Sequence, residues 1–393
     1  MSKNIKNLFL LQDGLVFLNH GSFGACPKVV FDVYQNWQRK LEQQPVAFLD
    51  QSRNFLPNMK QVRHALAEKL GAFPDDLVCV SNATEGLNII AHSMRLNAGD
   101  EILTSDHEYG ALEKTWDAVG KRTNARIVKV EVPVPLTSAV EFCDIIKTGM
   151  SDRTKVLFLS HVTSPTSLVF PLKEVIAEAR SRGIITIVDG AHAPGLIDLD
   201  LNDLNADFYS GNCHKWMMSP KGAAFLWARQ DVQPMLEPLV VSHGWVAQLG
   251  GSQQKGAFGN TRFIDCFEVN GTRDPAAWLS LPEALKFAQD YDWRSMTQKS
   301  ADLARQTADR IADMTQIPLL ASDEFSAPQM ISITLPYCHV EDVKRKLYNM
   351  FNIEIPVFRW KEKSIVRISI QPYNTQEDAN ALVFALKNIF NFF

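Results

Sequence analysis

From about residue 60 to residue 230 the chain alternates between two patterns. Short apolar runs rich in β-branched residues give way to longer stretches whose apolar positions recur every three or four residues. The first pattern predicts strands at Leu77–Ser81, Glu101–Thr104, Arg126–Val132, Val156–Ser160, Ile184–Val188 and Ala223–Trp227. The second predicts helices between most of them, including Asn58–Leu70, Ala83–Met94 and Leu172–Arg182. Alternation of this kind specifies an α/β fold with a doubly wound, mostly parallel sheet and helices on both faces. Ligands of such sheets sit at the carboxyl ends of the strands. The segment Trp245–Thr272 is rich in Gly, Gln and Asn, lacks periodicity, and reads as a long ordered loop or an inter-subunit excursion. Beyond Pro275 the pattern changes to helices Ala276–Tyr291 and Trp293–Met314, strand Met330–Leu335, helix Val340–Asn349, strands Ile353–Val357 and Ile365–Ile370, and helix Thr375–Asn388. This is a separate, smaller α/β lobe.

Composition narrows the picture by exclusion. The 393 residues carry 40 Lys and Arg against 44 Asp and Glu, a formal net charge of −4, with no basic block to hold nucleic acid. At 46% hydrophobic and 21% charged the chain is globular rather than disordered. No apolar run approaches the roughly 20 residues of a membrane span, and the N-terminus has no secretory pattern. Cys26, Cys79, Cys143, Cys213, Cys266 and Cys338 are scattered without a CxxC pair, so neither a metal site nor a disulfide framework is expected and a reducing cytoplasmic setting is.

The stretch IITIVDGAHAPG is an apolar strand ending in Asp189, followed closely by His192. A carboxylate buried there is costly without a cation. Downstream, DFYSGNCHKWMMSPKGAAFLW sets Lys215 between His214 and Trp216 in an apolar, glycine-containing turn. Desolvation lowers a lysine's pKa and frees its amine to condense with carbonyl compounds. A buried Asp with a buried Lys is either a structural ion pair or the minimal kit for pyridoxal phosphate, with Asp protonating the pyridine nitrogen and Lys holding the aldehyde. A third feature, VSNATEGLN, runs from a strand straight into a helix whose start (Asn82, Ala83, Thr84) suits either a phosphate or simple N-capping.

Together, VDGAHAPG, GNCHKW, SNATEG and the opening LNHGSFGACP make the chain resemble the class V aminotransferase family of fold-type-I pyridoxal-phosphate enzymes, and within it isopenicillin-N-epimerase-like proteins. The resemblance runs from Phe17 to about Ala381. It implies an N-terminal arm (1–30) packed with the small domain, a large cofactor-binding domain (31–275) and a small C-terminal domain (276–393). It implies pyridoxal 5'-phosphate held by Lys215, with Asp189 at the pyridine nitrogen, His192 near the ring and its 3-oxygen, and Thr163 near that same oxygen. Asn82, Ala83 and Thr84 would bind phosphate, with added contacts from Asn212 and His214. Tyr109 matches the position whose ring stacks on the pyridine, where desulfurases carry histidine. Gly271 and Thr272 match a segment that reaches the neighbouring subunit's cofactor, which implies a homodimer with shared active sites. Arg367 would bind the substrate α-carboxylate, where a bidentate guanidinium suits the role, and Asn19 and His20 would line the substrate pocket.

The reaction is read mainly by elimination. Desulfurases need a nucleophilic cysteine shortly before the carboxylate arginine; here FNIEIPVFRWKEKSIVR has none, and Cys338 and Cys213 read as packing thiols. Epimerisation at Cα, β-elimination of a carbon–sulfur bond and transamination all remain open. The resemblance favours an epimerase or racemase, whose second acid is Tyr109, His20 or water. A non-catalytic descendant would have lost Lys215. Relatives often carry a charge in the PVxFL stretch, where this chain has Ala47.

Overall fold

The computed structural model describes residues 5–247 and 255–391. Among the described residues the strands are β1 (Val16–Phe17), β2 (Leu77–Val80), β3 (Glu101–Ser105), β4 (Arg126–Val130), β5 (Thr154–Ser160), β6 (Ile185–Gly190), β7 (Phe208–Asn212), β8 (Ala224–Ala228), β9 (Met330–Leu335), β10 (Ile353–Glu354), β11 (Val357–Trp360) and β12 (Lys363–Ser369). Seven of them form one sheet in the order β2-β8-β7-β6-β5-β3-β4, with β8 antiparallel to both neighbours and all other pairs parallel.

Strand residues alternate between two cores. Leu77, Cys79, Leu157, Leu159 and Val188 join one apolar cluster; Val78, Val80, Val156, Phe158 and Ile187 join the other. The period of two therefore buries both faces, as a doubly covered sheet requires. Helices Phe55–Leu70, Ala139–Gly149 and Leu172–Ser181 supply the first core, and Ala83–Ser93 and Gly110–Thr123 the second. The α/β class with its large mostly parallel sheet is as the sequence predicts.

The remaining strands form a three-stranded antiparallel sheet, β11-β12-β9, and the parallel pair β1–β10. That pair, with the Asn19–Ser369 bridge, stitches the N-terminal segment to the C-terminal part of the chain.

Four segments differ from expectation. FYSGN is a strand, β7, lying between β6 and β8, where the sequence pattern predicts none. Arg262–Glu268, within the segment expected to be a loop, is a helix capped by Thr261, whose hydroxyl accepts the Ile264 N–H. All seven of its residues are buried, so it has no polar face and no periodicity to read. Residues 248–254 of that segment lie outside the described residues. Prolines account for two breaks: the helix expected over Ala276–Tyr291 restarts at Leu281 with Pro282 in its first turn, and Pro356 separates β10 from β11.

The helix Arg262–Glu268 is tied in by charge. Arg63 donates to the Glu268 carboxylate with both side chains buried, and the same carboxylate accepts the Cys79 N–H of β2. Removing one partner of a buried pair leaves the other unpaired, at about 3–5 kcal/mol. Arg63→Ala is therefore expected to lower unfolding stability by that amount in a denaturant titration. A loss under about 1 kcal/mol would contradict the role given to this pair.

Candidate active site

The carboxyl ends of β3, β5, β6 and β7 meet at one side of the large sheet, and the residues singled out from the sequence converge there. Asp189 ends its apolar run one residue before β6 does. It is buried and its Oδ1 accepts the Ala191 N–H at 2.9 Å. Burial raises its pKa to about 6, against the opposing pull of that hydrogen bond and of Lys215. Lys215 follows β7 in the Cys213–Trp216 turn. Burial, aided by the nearby Arg367 charge, lowers its pKa to about 7, while Asp189 pulls it back up. The Lys215 Nζ lies 3.1 Å from His192 Nε2. His192 is held neutral by burial first and then by Lys215, Arg367 and His214. Accepting from Lys215 at Nε2, it carries its proton on Nδ1, which has no partner among the described residues.

Asn212 joins two parts of the site. Its Oδ1 accepts the Ala83 N–H at 2.9 Å and its Nδ2 donates to the Ala191 carbonyl at 3.3 Å. Asn82 caps the helix Ala83–Ser93, its side chain accepting the Glu85 N–H, while Glu85 accepts from the Ser81 N–H and hydroxyl. Capping therefore occupies Asn82 Oδ1 and the Ala83 N–H, and Thr84 stands half-buried beside them. His214 is buried, its pKa lowered to about 4 mainly by burial, with Nδ1 unpartnered.

Arg367 sits in the middle strand of β11-β12-β9, not at an edge, and is 5% exposed. Its Nη1 donates to the Ser164 carbonyl at 2.6 Å and its Nη2 to the Ser22 hydroxyl at 3.2 Å; Nε is unpartnered. Burial lowers its pKa to about 10, and Tyr109 opposes the fall. Tyr109 precedes the helix Gly110–Thr123 and is 46% exposed.

Other predicted residues are placed differently. His20 has both ring nitrogens engaged: Nε2 donates to the Lys215 carbonyl at 3.0 Å, and Nδ1 accepts from the Tyr373 hydroxyl at 2.9 Å. It braces the lysine's backbone and leaves no ring nitrogen for a substrate. Asn19 donates to Glu354 at 3.0 Å, leaving a buried Oδ1 without a partner. Thr163 is fully enclosed. His107 must donate from Nε2 to the Val132 carbonyl, so Thr166 donates to its Nδ1 and Thr163 donates to Thr166, while the Leu168 N–H occupies the Thr163 oxygen. That hydroxyl is committed within the protein. Gly271 and Thr272 lie on an exposed loop after the helix Arg262–Glu268, Gly271 with φ 117°; no hydrogen bond among the described residues links them to the Lys215 group.

Sequence reasoning missed Ser22 and Ser164 at Arg367, Tyr373 behind His20, and Glu108, which is buried between Ser105 and Ser160. None of them stands out in the sequence: the hydroxyl residues are common, and Glu108 follows Asp106 and His107 in a polar turn after the strand.

The comparisons fit this geometry. The class-V aminotransferase family model matches residues 17–382. The chain belongs to the class-V aminotransferase family. It is 33% identical over 392 residues to an isopenicillin N epimerase of Amycolatopsis lactamdurans, covering 98% of each chain. It is 28% identical to a probable chloroplastic L-cysteine desulfhydrase of Arabidopsis thaliana, covering 95% of this chain and 82% of that one. In fold it is similar to the Escherichia coli cysteine desulfurase CsdA, with a TM-score of 0.81 at 23% identity over 100% and 99% of the two chains. It is also similar to the cystine C-S lyase C-DES, at 0.78 and 22% over 95% and 97%. This class-V enzyme is PLP-dependent, with the fold-type-I architecture. Its residues suit the cofactor: a neutral-prone amine, a buried carboxyl, and unpartnered buried nitrogens on His192, His214 and Arg367.

A depressed lysine pKa has a kinetic consequence. Only the neutral amine attacks the cofactor aldehyde, so the rate of PLP uptake by the apoprotein should rise with pH through about 7 and then flatten. At pH 8 the rate should exceed that of an ordinary lysine a few hundred-fold. Arg367→Met removes a charge that lowers the Lys215 pKa and should move the midpoint upward. A wild-type rate still climbing at pH 10 would contradict this environment.

Proposed function

We propose that the chain is an amino-acid epimerase or racemase acting at Cα, similar in reaction type to the isopenicillin N epimerases it matches. The observation that carries this reading is the buried Lys215 amine, 3.1 Å from a neutral histidine and within the fields of Asp189 and Arg367. Bound here, PLP supplies the electron sink that acidifies a Cα proton. Asp189 keeps the pyridine nitrogen protonated. Asn82, Thr84 and His214 hold the phosphate, with Ala83 and Asn212 framing it. Arg367 holds the substrate carboxylate, a role its orphaned Nε and Ser22-tethered Nη2 support. Lys215 would take the Cα proton on one face, with His192, which accepts from its amine, orienting it. Tyr109, whose phenol lies in the field of Arg367, returns a proton on the other face.

The thiols argue against a persulfide route. Burial pushes Cys26 up to about 12 and Cys213 and Cys79 higher still, and no cysteine precedes Arg367 on its lobe after Cys338. β-Elimination is the second reading, favoured by the desulfhydrase relatives and by needing no acid beyond Lys215. We further propose a cytoplasmic homodimer in which Gly271 and Thr272, on their exposed loop, reach the partner's phosphate.

The test is an amino-acid panel in deuterium oxide, followed in parallel for Cα exchange, inversion, keto acid and sulfide. Exchange with inversion and no keto acid is expected. Tyr109→Phe should cut inversion about 10²–10⁴-fold while exchange of the starting isomer persists. Pyruvate or sulfide without inversion would overturn the epimerase reading in favour of elimination.

A further inference from the structure

The buried carboxyl of Glu108 has no place in the chemistry described so far. It lies at the switch point of the large sheet, where β3 and β5 are neighbours and the chain winds outwards both ways, to β4 beyond β3 and to β6 and β7 beyond β5. Glu108 Oε1 is 2.6 Å from the hydroxyl of Ser105, which ends β3, and Oε2 is 2.6 Å from that of Ser160, which ends β5. Ser160 pairs in register with Asp189 on β6, so the two carboxyls occupy neighbouring strand ends.

The groups around Glu108 offer it no cation. On its own turn stand Asp106, committed to Lys361, neutral His107, and Tyr109. From β5 comes His161, kept neutral by burial at about 4; from β7 comes Tyr209, its hydroxyl 3.2 Å from His161; and from β6 comes Asp189, with Lys215 beyond it. The charge Glu108 feels is that of Asp189, of like sign. Two neighbouring buried carboxyls do not both ionise. Both carboxyls have a backbone N–H donor, Ala191 for Asp189 and Ser160 for Glu108, but only Asp189 also has Lys215 to favour its charge; the other partners of Glu108 are hydroxyls, which accept as readily as they donate. The proton therefore belongs to Glu108. With the proton on Oε2, Ser105, already accepting the His107 N–H, donates to Oε1, and the 2.6 Å contact to Ser160 runs from the Glu108 O–H to the serine oxygen. Burial lifts the Glu108 pKa to about 8, which agrees with this arrangement.

We propose that Glu108 is a positioning residue that acts as a neutral acid: it clamps β3 to β5, fixes the turn that carries Tyr109, and leaves Asp189 as the single ionised carboxyl of the pair. The last effect rests on the reading of Asp189 as the carboxylate at the pyridine nitrogen; the clamp and the held proton do not.

The held proton is tested first on the apoprotein. A folded-state pKa above the unfolded one gives stability that is complete below about 4.5 and lost as pH rises through about 8. The side-chain amide introduced by E108Q cannot titrate yet satisfies both serines, so the Tm difference, E108Q minus wild type, should grow by a few °C from pH 5 to pH 9. A difference constant across that range would overturn the proposal. Should E108Q fail to fold, carboxyl-carbon NMR of wild type and D189N replaces it: a glutamate titrating near pH 8 that moves down in D189N supports the proposal, and none doing so overturns it. In the holoenzyme, the absorbance of bound PLP should change near pH 8 in wild type and not in E108Q, while E108A should be altered at every pH. Identical titrations in wild type and E108Q would overturn the effect on Asp189 even with the Tm result in hand. A protein that takes up no PLP would instead fail the reading of Asp189 itself.

Discussion

Lys215, Asp189 and Arg367 are all removed from water within one small volume, and their shared desolvation governs how the site is built. An unpaired charge in such a place is costly, and a group commonly sheds or takes a proton to avoid it. The shifts run that way throughout: Lys215 towards the neutral amine, Asp189 towards the acid, and His20, His192 and His214 away from the imidazolium. A lysine poised near neutrality both attacks an aldehyde and carries a proton at physiological pH, so the property that burdens folding is the one the chemistry uses.

The scaffold meets this burden by bringing rigid elements to one point. The ends of β3, β5, β6 and β7 fix Glu108, Ser160, Asp189 and Lys215 relative to one another, and Asn212 ties the helix start at Ala83 to the Ala191 loop. The N-terminal segment closes the far side. His20 holds the Lys215 carbonyl and the Tyr373 hydroxyl together, Ser22 meets Arg367, and Lys221 donates to the Gly24 carbonyl at 2.9 Å. A Cβ on Gly24 would fall 1.9 Å from the His214 carbonyl, so the segment sits directly against the lysine turn. One short stretch thus couples Arg367 to the backbone of Lys215.

The strongly patterned parts of this arrangement were legible in the sequence. Strands such as Val156–Ser160 and Ile184–Val188 are apolar on both faces and bounded by polar turns, and Asp189 and Lys215 stand out as charges set in apolar surroundings. What escaped lacks periodicity or depends on contacts far apart in the chain. β7 is built from FYSGN, whose Gly and Ser serve close packing against neighbours rather than strand propensity. The helix Arg262–Glu268 is buried all round. The Thr166 hydroxyl and the Tyr373 ring are ordinary residues until folding brings them to His107 and His20, and the hydrogen bonds they make reassign Thr163 and His20 from open contacts to committed ones.

The account stands on Lys215 as the lysine that binds the cofactor. Lys221, also partly desolvated and six positions along the same turn region, is the natural rival. Borohydride reduction of the yellow holoprotein, followed by proteolysis and mass mapping of the pyridoxyl label, separates them. The account predicts one label per chain, on Lys215, with loss of the visible band. A label on Lys221 or any other lysine, or a protein that binds PLP and takes up no label, would contradict it.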